Sequence, residues 1–275
     1  MKPHQNQTKT LFYFLLFWTI STSCIYSQIK LVSWNVENIG QSKSVGEIQF
    51  MAQTLKDFDI IAIQEVVAGY GGSQAVAKLA DELNRLGSKW DYVVSDPTTS
   101  SAYKTERYAF LWKTSVVKKI GKAWLEQQYS LEIDREPFYC TFEYKNKSFT
   151  IVNFHAITKS RQPETEIKYF KFLPALHPNL NLIFVGDFNC PQTHTVFNPL
   201  KKMEYVPLLI GQKTTLKKKV KHNQYLASEF DNMFYPKKVT KIDGGVLFFY
   251  KSFPTLEQAR SISDHIPIWM EFSLN

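Results

Sequence analysis

The chain has 275 residues, 44% of them hydrophobic and 21% charged, with 21 Phe, 14 Tyr and 6 Trp. That composition excludes a disordered or low-complexity polypeptide and suits one large domain, or two small ones, with a strand-rich core. The formal charge of +8 fits a polyanionic partner, although a basic surface also serves solubility alone.

The first element in chain order is the apolar stretch Leu11 to Ile20, preceded by Lys2 and Lys9 and followed by Ser21, Thr22 and Ser23. A basic start, a short apolar run and small residues make the pattern of a secretory signal. The run is shorter than the roughly 20 residues of a membrane span. An uncleaved anchor is the second reading. Cys24 has Ser21 three positions before it, where a lipidation box prefers a larger aliphatic residue. Cleavage is expected near Ser27–Gln28. It would leave a domain over 28–275, secreted, periplasmic or extracellular, with no stable membrane insertion. Loss of Lys2 and Lys9 lowers the charge from +8 to +6.

The remainder reads as strand 29–34, helix about 44–57, strand 59–64 and helix about 73–87. Strands near 90–95, 107–113 and 116–124 follow. The second half reads as strands 137–145 and 149–155, helix about 163–175, strand 181–186 and shorter strands to the end. In helix 73–87, Val76, Leu79, Ala80, Leu83 and Leu86 recur at helical spacing, and Gly87 stops it. Phe138, Cys140, Phe142 and Tyr144 alternate with Tyr139, Thr141 and Glu143, so Cys140 belongs to the apolar face of a strand. A Cys140–Cys190 bridge is open, and no Cys/His group has zinc spacing. This order fits two mixed sheets with outer helices better than one doubly wound parallel sheet.

Apolar segments lead repeatedly into polar ends. Ile29 to Trp34 ends in Asn35-Val36-Glu37-Asn38, Ile60 to Ile63 in Gln64-Glu65, and Phe149 to Phe154 in His155. Leu182 to Val185 ends in Gly186-Asp187-Phe188-Asn189. Phe230 precedes Asp231-Asn232, and Ile262-Ser263 precedes Asp264-His265. Alone, each is a turn residue, an ion pair or a satisfied histidine. Together, Glu65, Asp187, Asp231 and Asp264 without thiolates make a hard oxygen site, which favours Mg²⁺, Mn²⁺ or Ca²⁺ over Zn²⁺. His155 and His265 can act as acid and base near neutral pH. Asn35 and Asn189 can bond phosphoryl oxygens without repelling them. The set suits hydrolysis of a phosphate ester. Lys213, Lys217, Lys218, Lys219 and Lys221 form a basic run, read as a loop before Asp231. It is either a solvated surface or a contact for a phosphate backbone.

The ordered segments Ser33-Trp34-Asn35-Val36, Ile63-Gln64-Glu65-Val66, Glu106-Arg107-Tyr108, Arg135-Glu136-Pro137, Phe154-His155, Gly186-Asp187-Phe188-Asn189, Asp231-Asn232 and Ser263-Asp264-His265-Ile266-Pro267 resemble the endonuclease/exonuclease/phosphatase superfamily. Within it, Asp96-Pro97 through Tyr103 to Tyr108 and the Arg-Glu-Pro triplet resemble the deoxyribonuclease I type. The resemblance implies an α/β (α+β) fold, a four-layer α/β/β/α sandwich of two packed mixed sheets. It implies that Glu65 holds the divalent ion with Asn35 and Asp264 nearby. Asp187 and Asn189 would align water or the scissile phosphate. His265, oriented by Asp231, would be the base; His155, oriented by Glu106, would be the acid. Arg135 would grip the phosphate and Tyr103 would stack on substrate or pack. The implied protein is a monomeric, Mg²⁺-dependent endodeoxyribonuclease.

Two departures stand out. Val67-Ala68 and Ser100-Ser101 stand where the family's animal secreted nucleases carry arginines, so the basic run near Lys217, Lys218 and Lys219 is a candidate replacement for DNA contact. The short-range cysteine pair of those nucleases is also absent. The competing readings are a phosphodiesterase or phosphatase acting on lipid head groups or small phosphate esters, and a nucleic-acid-binding protein without catalysis.

Overall fold

A computed structural model describes residues 28–100 and 105–275. The expected signal segment 1–27 and Tyr103 lie outside the described residues. Strand β1 (Ile29–Ile39) leads to α1 (Val45–Leu55), β2 (Ile60–Val67), α2 (Tyr70–Arg85), β3 (Trp90–Val94), β4 (Glu106–Lys113) and β5 (Lys118–Leu125). Then come β6 (Phe138–Tyr144), β7 (Lys147–His155), α3 (Glu164–Ile167), α4 (Leu173–Leu176), β8 (Leu182–Asp187), α5 (Asn198–Lys202) and β9 (Tyr205–Pro207). The last part runs β10 (Leu216–Lys221), β11 (Gln224–Leu226), β12 (Asp231–Pro236), β13 (Val239–Val246), α6 (Leu256–Ile262) and β14 (Ile268–Leu274).

Among the described residues these strands make two six-stranded mixed sheets. One has the order β13-β14-β1-β2-β4-β3 and the other β5-β6-β7-β8-β12-β9. Strand periodicity explains why they pack. On β1, Leu31 enters the central core with Ile151 of β7 and Val185 of β8, while Val32 and Trp34 point to the opposite face. That opposite face is covered by α1, α2 and α6 through Met51, Leu79 and Ala259. The outer face of the second sheet, with Phe154 and Phe184, is covered by Ile167 and Phe170. Three apolar interfaces therefore separate four layers, as the sandwich reading requires. Burying a Leu, Ile or Phe contributes about 1.5–3 kcal/mol, so each interface is a major source of stability.

Local chemistry sets the helix ends. Ser44 and Glu47 form a capping box on α1. Gly87, at φ 97°, follows α2 in a conformation that favours glycine. Gly186, at φ 133°, lies so close to β7 that a Cβ there would sit 2.0 Å from the Phe154 carbonyl oxygen. The close approach of β7 and β8 thus depends on glycine immediately before Asp187.

Three readings of local structure change. Helix 163–175 is broken into α3, a 3₁₀ stretch Lys168–Phe172 and α4. Pro174 has no N–H to give the Phe170 carbonyl, so a continuous α-helix cannot pass through it. The segment before Asp264 is helix α6, not a strand. The lysine run is not a loop, because Lys217, Lys218 and Lys219 lie on β10 of a β10–β11 hairpin. Both cysteines among the described residues are free and buried, Cys140 in the central core and Cys190 in the outer one.

Candidate active site

The central core becomes polar at one end of the sandwich. On β1 the inward face runs Leu31, Ser33, Asn35; on β7 it runs Ile151, Asn153, His155; on β8 it runs Ile183, Val185, Asp187. Strands β4 and β12 run antiparallel to β2 and β8, so their first residues reach the same end. That is why Glu106 and Asp231 open their strands yet meet groups that close others. His155 pairs in register with Asp187, and Asp187 with Asp231, across three neighbouring strands.

Two carboxylate-anchored imidazoles result. His155 Nδ1 is 2.9 Å from Glu106 Oε1. Glu106 is also bound by Arg135 Nη1 at 3.2 Å. Burial pushes Glu106 up to about 7 and, with Arg135 beside it, pushes His155 down to about 4. Both shifts disfavour charge on the buried pair, which lies against the Arg135 guanidinium. His265 Nδ1 is 2.8 Å from Asp231 Oδ2. Burial would lower this imidazole, but the Asp231 and Asp187 carboxylates override it and hold it well above the ordinary value. Thr214 Oγ1 donates to the same Asp231 oxygen at 2.6 Å, and the His265 carbonyl accepts from Trp34 Nε1 at 2.8 Å. Both rings aim Nε2 at Asp187 Oδ2, at 3.4 Å from His155 and 3.6 Å from His265. Burial raises the Asp187 carboxyl from its ordinary value. Burial thus works against the charged form of His155, while neighbouring carboxylates favour the charged form of His265.

An acidic rim opens beside these rings. Glu65 sits at φ 60° on a bulge between Gln64 and Val66, which turns its side chain inward. Asn35 Nδ2 donates to Glu65 Oε1 at 2.9 Å and to Asp187 Oδ2 at 3.2 Å, while Asn35 Oδ1 accepts from the Glu37 amide. Asn35 therefore steadies carboxylates and turns its nitrogen, not its oxygen, to the position expected of a metal ligand. Asp264 lies 3.4 Å from Arg260 Nη2. Glu37, which sequence reasoning passed over, lines the same cavity of about 410 Å³. Burial raises its carboxyl, and the nearby Asp264 and Glu65 raise it further. Three crowded carboxylates fit a hard divalent cation by donor type. Asp187, Asp231 and His265 also form a compact group, with one ligand atom from each all within 4.8 Å of one another. Their lone pairs are largely engaged with each other and with Thr214, whereas Glu65 and Asp264 are more exposed, at 21% and 33% of the side chain.

Other expected residues have different company. Arg135 lines the cavity, but its Nε donates to the His155 carbonyl and its Nη2 to the Ala156 carbonyl. The guanidinium is thus spent largely on protein oxygens and holds Glu106. Asn189 donates to the Ala156 carbonyl at 3.0 Å, and its amide N–H to Asp187 Oδ1 at 2.8 Å. Lys218 lines the cavity; Lys217 instead donates to Gln224 Oε1. Behind the site, Gln64 Nε2 bonds Ser33 Oγ and Asn153 Oδ1, tying the two sheets together under Glu65 and His155. Neither Gln64 nor Asn153 could be assigned that role from sequence, since they are 89 residues apart.

A four-layer sandwich whose inter-sheet edge holds two acid-anchored histidines and an acidic rim carries the donor groups that hydrolysis of a phosphate ester uses. The chain belongs to the Endonuclease/Exonuclease/phosphatase family, whose model matches residues 32–265. It is 28% identical to a deoxyribonuclease of Thioalkalivibrio sp. over 95% of this chain and 75% of that protein. It is 25% identical to deoxyribonuclease-1-like 1 of Sus scrofa over 89% of this chain and 81% of that one. Among solved structures, the mannosyl-6-phosphatase of Bacteroides thetaiotaomicron shares the fold with a TM-score of 0.61 and 18% identity, covering 90% of this chain and all of that one. Enzymes of this family depend on divalent metals, and the relatives support a nuclease or a phosphodiesterase/phosphatase.

Proposed function

We propose that this protein is an exported, divalent-metal-dependent endodeoxyribonuclease that hydrolyses DNA phosphodiester bonds. The observation that carries the proposal is the convergence of His155 and His265 on Asp187 Oδ2, each ring anchored by its own carboxylate. Two positioned imidazoles can serve a displacement at phosphorus, one taking the proton of the attacking water and the other protonating the leaving oxygen. Asp231 and Glu106 fix each ring's tautomer by accepting from Nδ1. Arg135 holds Glu106 in place, and Asn35 holds Glu65 and Asp187. Glu65 and Asp264, with Glu37 beside them, would hold Mg²⁺, or Mn²⁺ or Ca²⁺. A bound cation would supply neutralisation of the negative charge that develops on the phosphoryl oxygens. Lys218, at the cavity wall, gives DNA a cation for its backbone.

Support for DNA over a small ester comes from the two deoxyribonuclease-named relatives and from the basic hairpin beside the cavity. Export rests on the N-terminal pattern. Among the described residues no helix is long and apolar enough to cross a membrane. The deciding experiment is nicking of supercoiled plasmid by the chain from Gln28, with and without EDTA, beside a small phosphate monoester. Plasmid cleavage that EDTA abolishes supports the proposal. Hydrolysis of the monoester with an intact plasmid would sink it and favour a phosphatase.

A further inference from the structure

The β10–β11 hairpin has a second surface that the catalytic cavity leaves unused. Leu216 and Leu226 pack into the helix-covered core, so their neighbours Lys217 and Tyr225 fall on the opposite face. There Tyr225 stacks on Tyr250, with centroids 5.4 Å apart and planes 24° apart. Phe248 meets Tyr250 edge-on at 6.0 Å, and Lys251 Nζ lies 4.6 Å from the Phe248 ring centroid. Tyr225 and Phe248 remain 38% and 40% exposed. A cavity of about 350 Å³ opens along Tyr225, Tyr250 and Lys251. Single exposed aromatics are ordinary on a protein surface. Three joined through Tyr250, with a lysine over one ring and an open cleft beside two of them, present π-faces and cations together.

We propose that Tyr225, Tyr250 and Phe248 form a stacking platform for unpaired bases of a nucleic-acid strand whose backbone runs on into the catalytic cavity. This rests on the phosphodiester-cleaving reading above and adds a substrate preference to it. Stacking tolerates any base, because every base has a π-face, and Lys251, Lys217 and Lys219 supply charges for the phosphates. The connection to the chemistry is the hairpin itself: Lys218, next to Lys217 in β10 but on its other face, lines the catalytic cavity, so a strand leaving the rings reaches it by rounding the hairpin. Bases of an intact duplex are already stacked on each other and cannot lie on these rings. The favoured substrate is therefore single-stranded DNA or DNA with frayed or protruding ends.

The test is fluorescence anisotropy of labelled single-stranded and blunt duplex oligonucleotides with the full mature chain in EDTA, alongside hydrolysis of bis(p-nitrophenyl) phosphate in Mg²⁺. Tyr225→Ala and Phe248→Ala should each weaken single-strand binding roughly 5- to 100-fold. Duplex binding and hydrolysis of the small diester should stay at wild-type values. Tyr225→Phe, which keeps the ring, should bind as the wild type does. Unchanged single-strand affinity in both alanine variants would overturn the platform while leaving the nuclease reading intact. Equal losses on single strand, duplex and small diester would also overturn it, since that pattern reports damage to the site's shape. A wild-type protein that hydrolyses small esters but neither binds nor cuts DNA would overturn both readings.

Discussion

His155 and His265 share one oxygen: the Nε2 atoms of the two rings lie 3.4 and 3.6 Å from Asp187 Oδ2. His155→Ala and His265→Ala should each lower plasmid cleavage by about 10²-fold or more, as for removed general acid–base groups. Their roles separate on a diester with a p-nitrophenolate leaving group, which departs without protonation. The variant lacking the acid should lose much less on that substrate, and the variant lacking the base should lose as much as before. Equal losses in both variants would remove the acid–base division.

Activity should vanish in excess EDTA and return with Mg²⁺. Glu65→Gln keeps the size of the side chain and removes its charge. It should raise the Mg²⁺ concentration for half-maximal rate by about 10-fold or more. Calorimetric titration of Mg²⁺ into wild type and variant gives the same comparison without turnover. A variant with wild-type metal dependence would take Glu65 out of the metal's surroundings.

Gln64 and Asn153 tie the sheets together by side chains that are both fully buried. Gln64→Met removes the donor and leaves Asn153 Oδ1 buried without it. The cost should be about 1–3 kcal/mol, read from urea unfolding midpoints. Turnover should fall with it, because Glu65 and His155 sit just beyond the tie on β2 and β7. An unchanged midpoint would mean that the tie contributes nothing net.

Alkaline pH should destabilise the fold. Burial pushes the Cys140 thiol and the Tyr205 hydroxyl up to about 12 and Cys190 up to about 11. It carries Tyr139 well above its ordinary 10.0 as well. All four have folded values above their unfolded ones, so the neutral forms stabilise the fold below about pH 9, and that contribution is lost as pH rises toward 12. Melting temperature should stay level to about pH 9 and then drop. A level melting temperature through pH 11 would contradict the burial of these groups.

Lys218→Ala should raise the Michaelis constant for long DNA and make the logarithmic salt dependence shallower by about one counterion. Lys219→Ala should do less, since Lys218 is the one of the pair that lines the cavity. Equal effects of both on cleavage of long DNA would mean that the hairpin acts only through its total charge.

Much of this was open to a reader of the sequence because strand faces repeat every second residue. The sequence Leu31-Ser33-Asn35 and its counterpart Ile151-Asn153-His155 announce apolar faces that turn polar at their ends. Glu37 escaped that rule because the chain twists at positive φ at Glu37 and Asn38, where period two no longer applies. The lysines hid β10, because Lys217, Lys218 and Lys219 in a row leave no alternating apolar face after Leu216. Helix α6 was passed over although Leu256, Ala259 and Ile262 stand at helical spacing. The Gln64–Asn153 tie and the turning of Arg135 onto Glu106 depend on which sheet faces which, and local pattern carries no such record.

Because the polar end of the inter-sheet face holds groups from both sheets, the cavity is also a seam. Glu65 and Asp264 belong to the β1-containing sheet and its connections, while His155, Asp187 and Asp231 belong to the other. Whatever binds across that seam fastens the two halves of the sandwich and raises the folded-to-unfolded ratio by a factor of one plus the free ligand concentration over its Kd. Melting temperature thereby becomes a gauge of ligand binding that works in inactive variants, where no reaction can be followed.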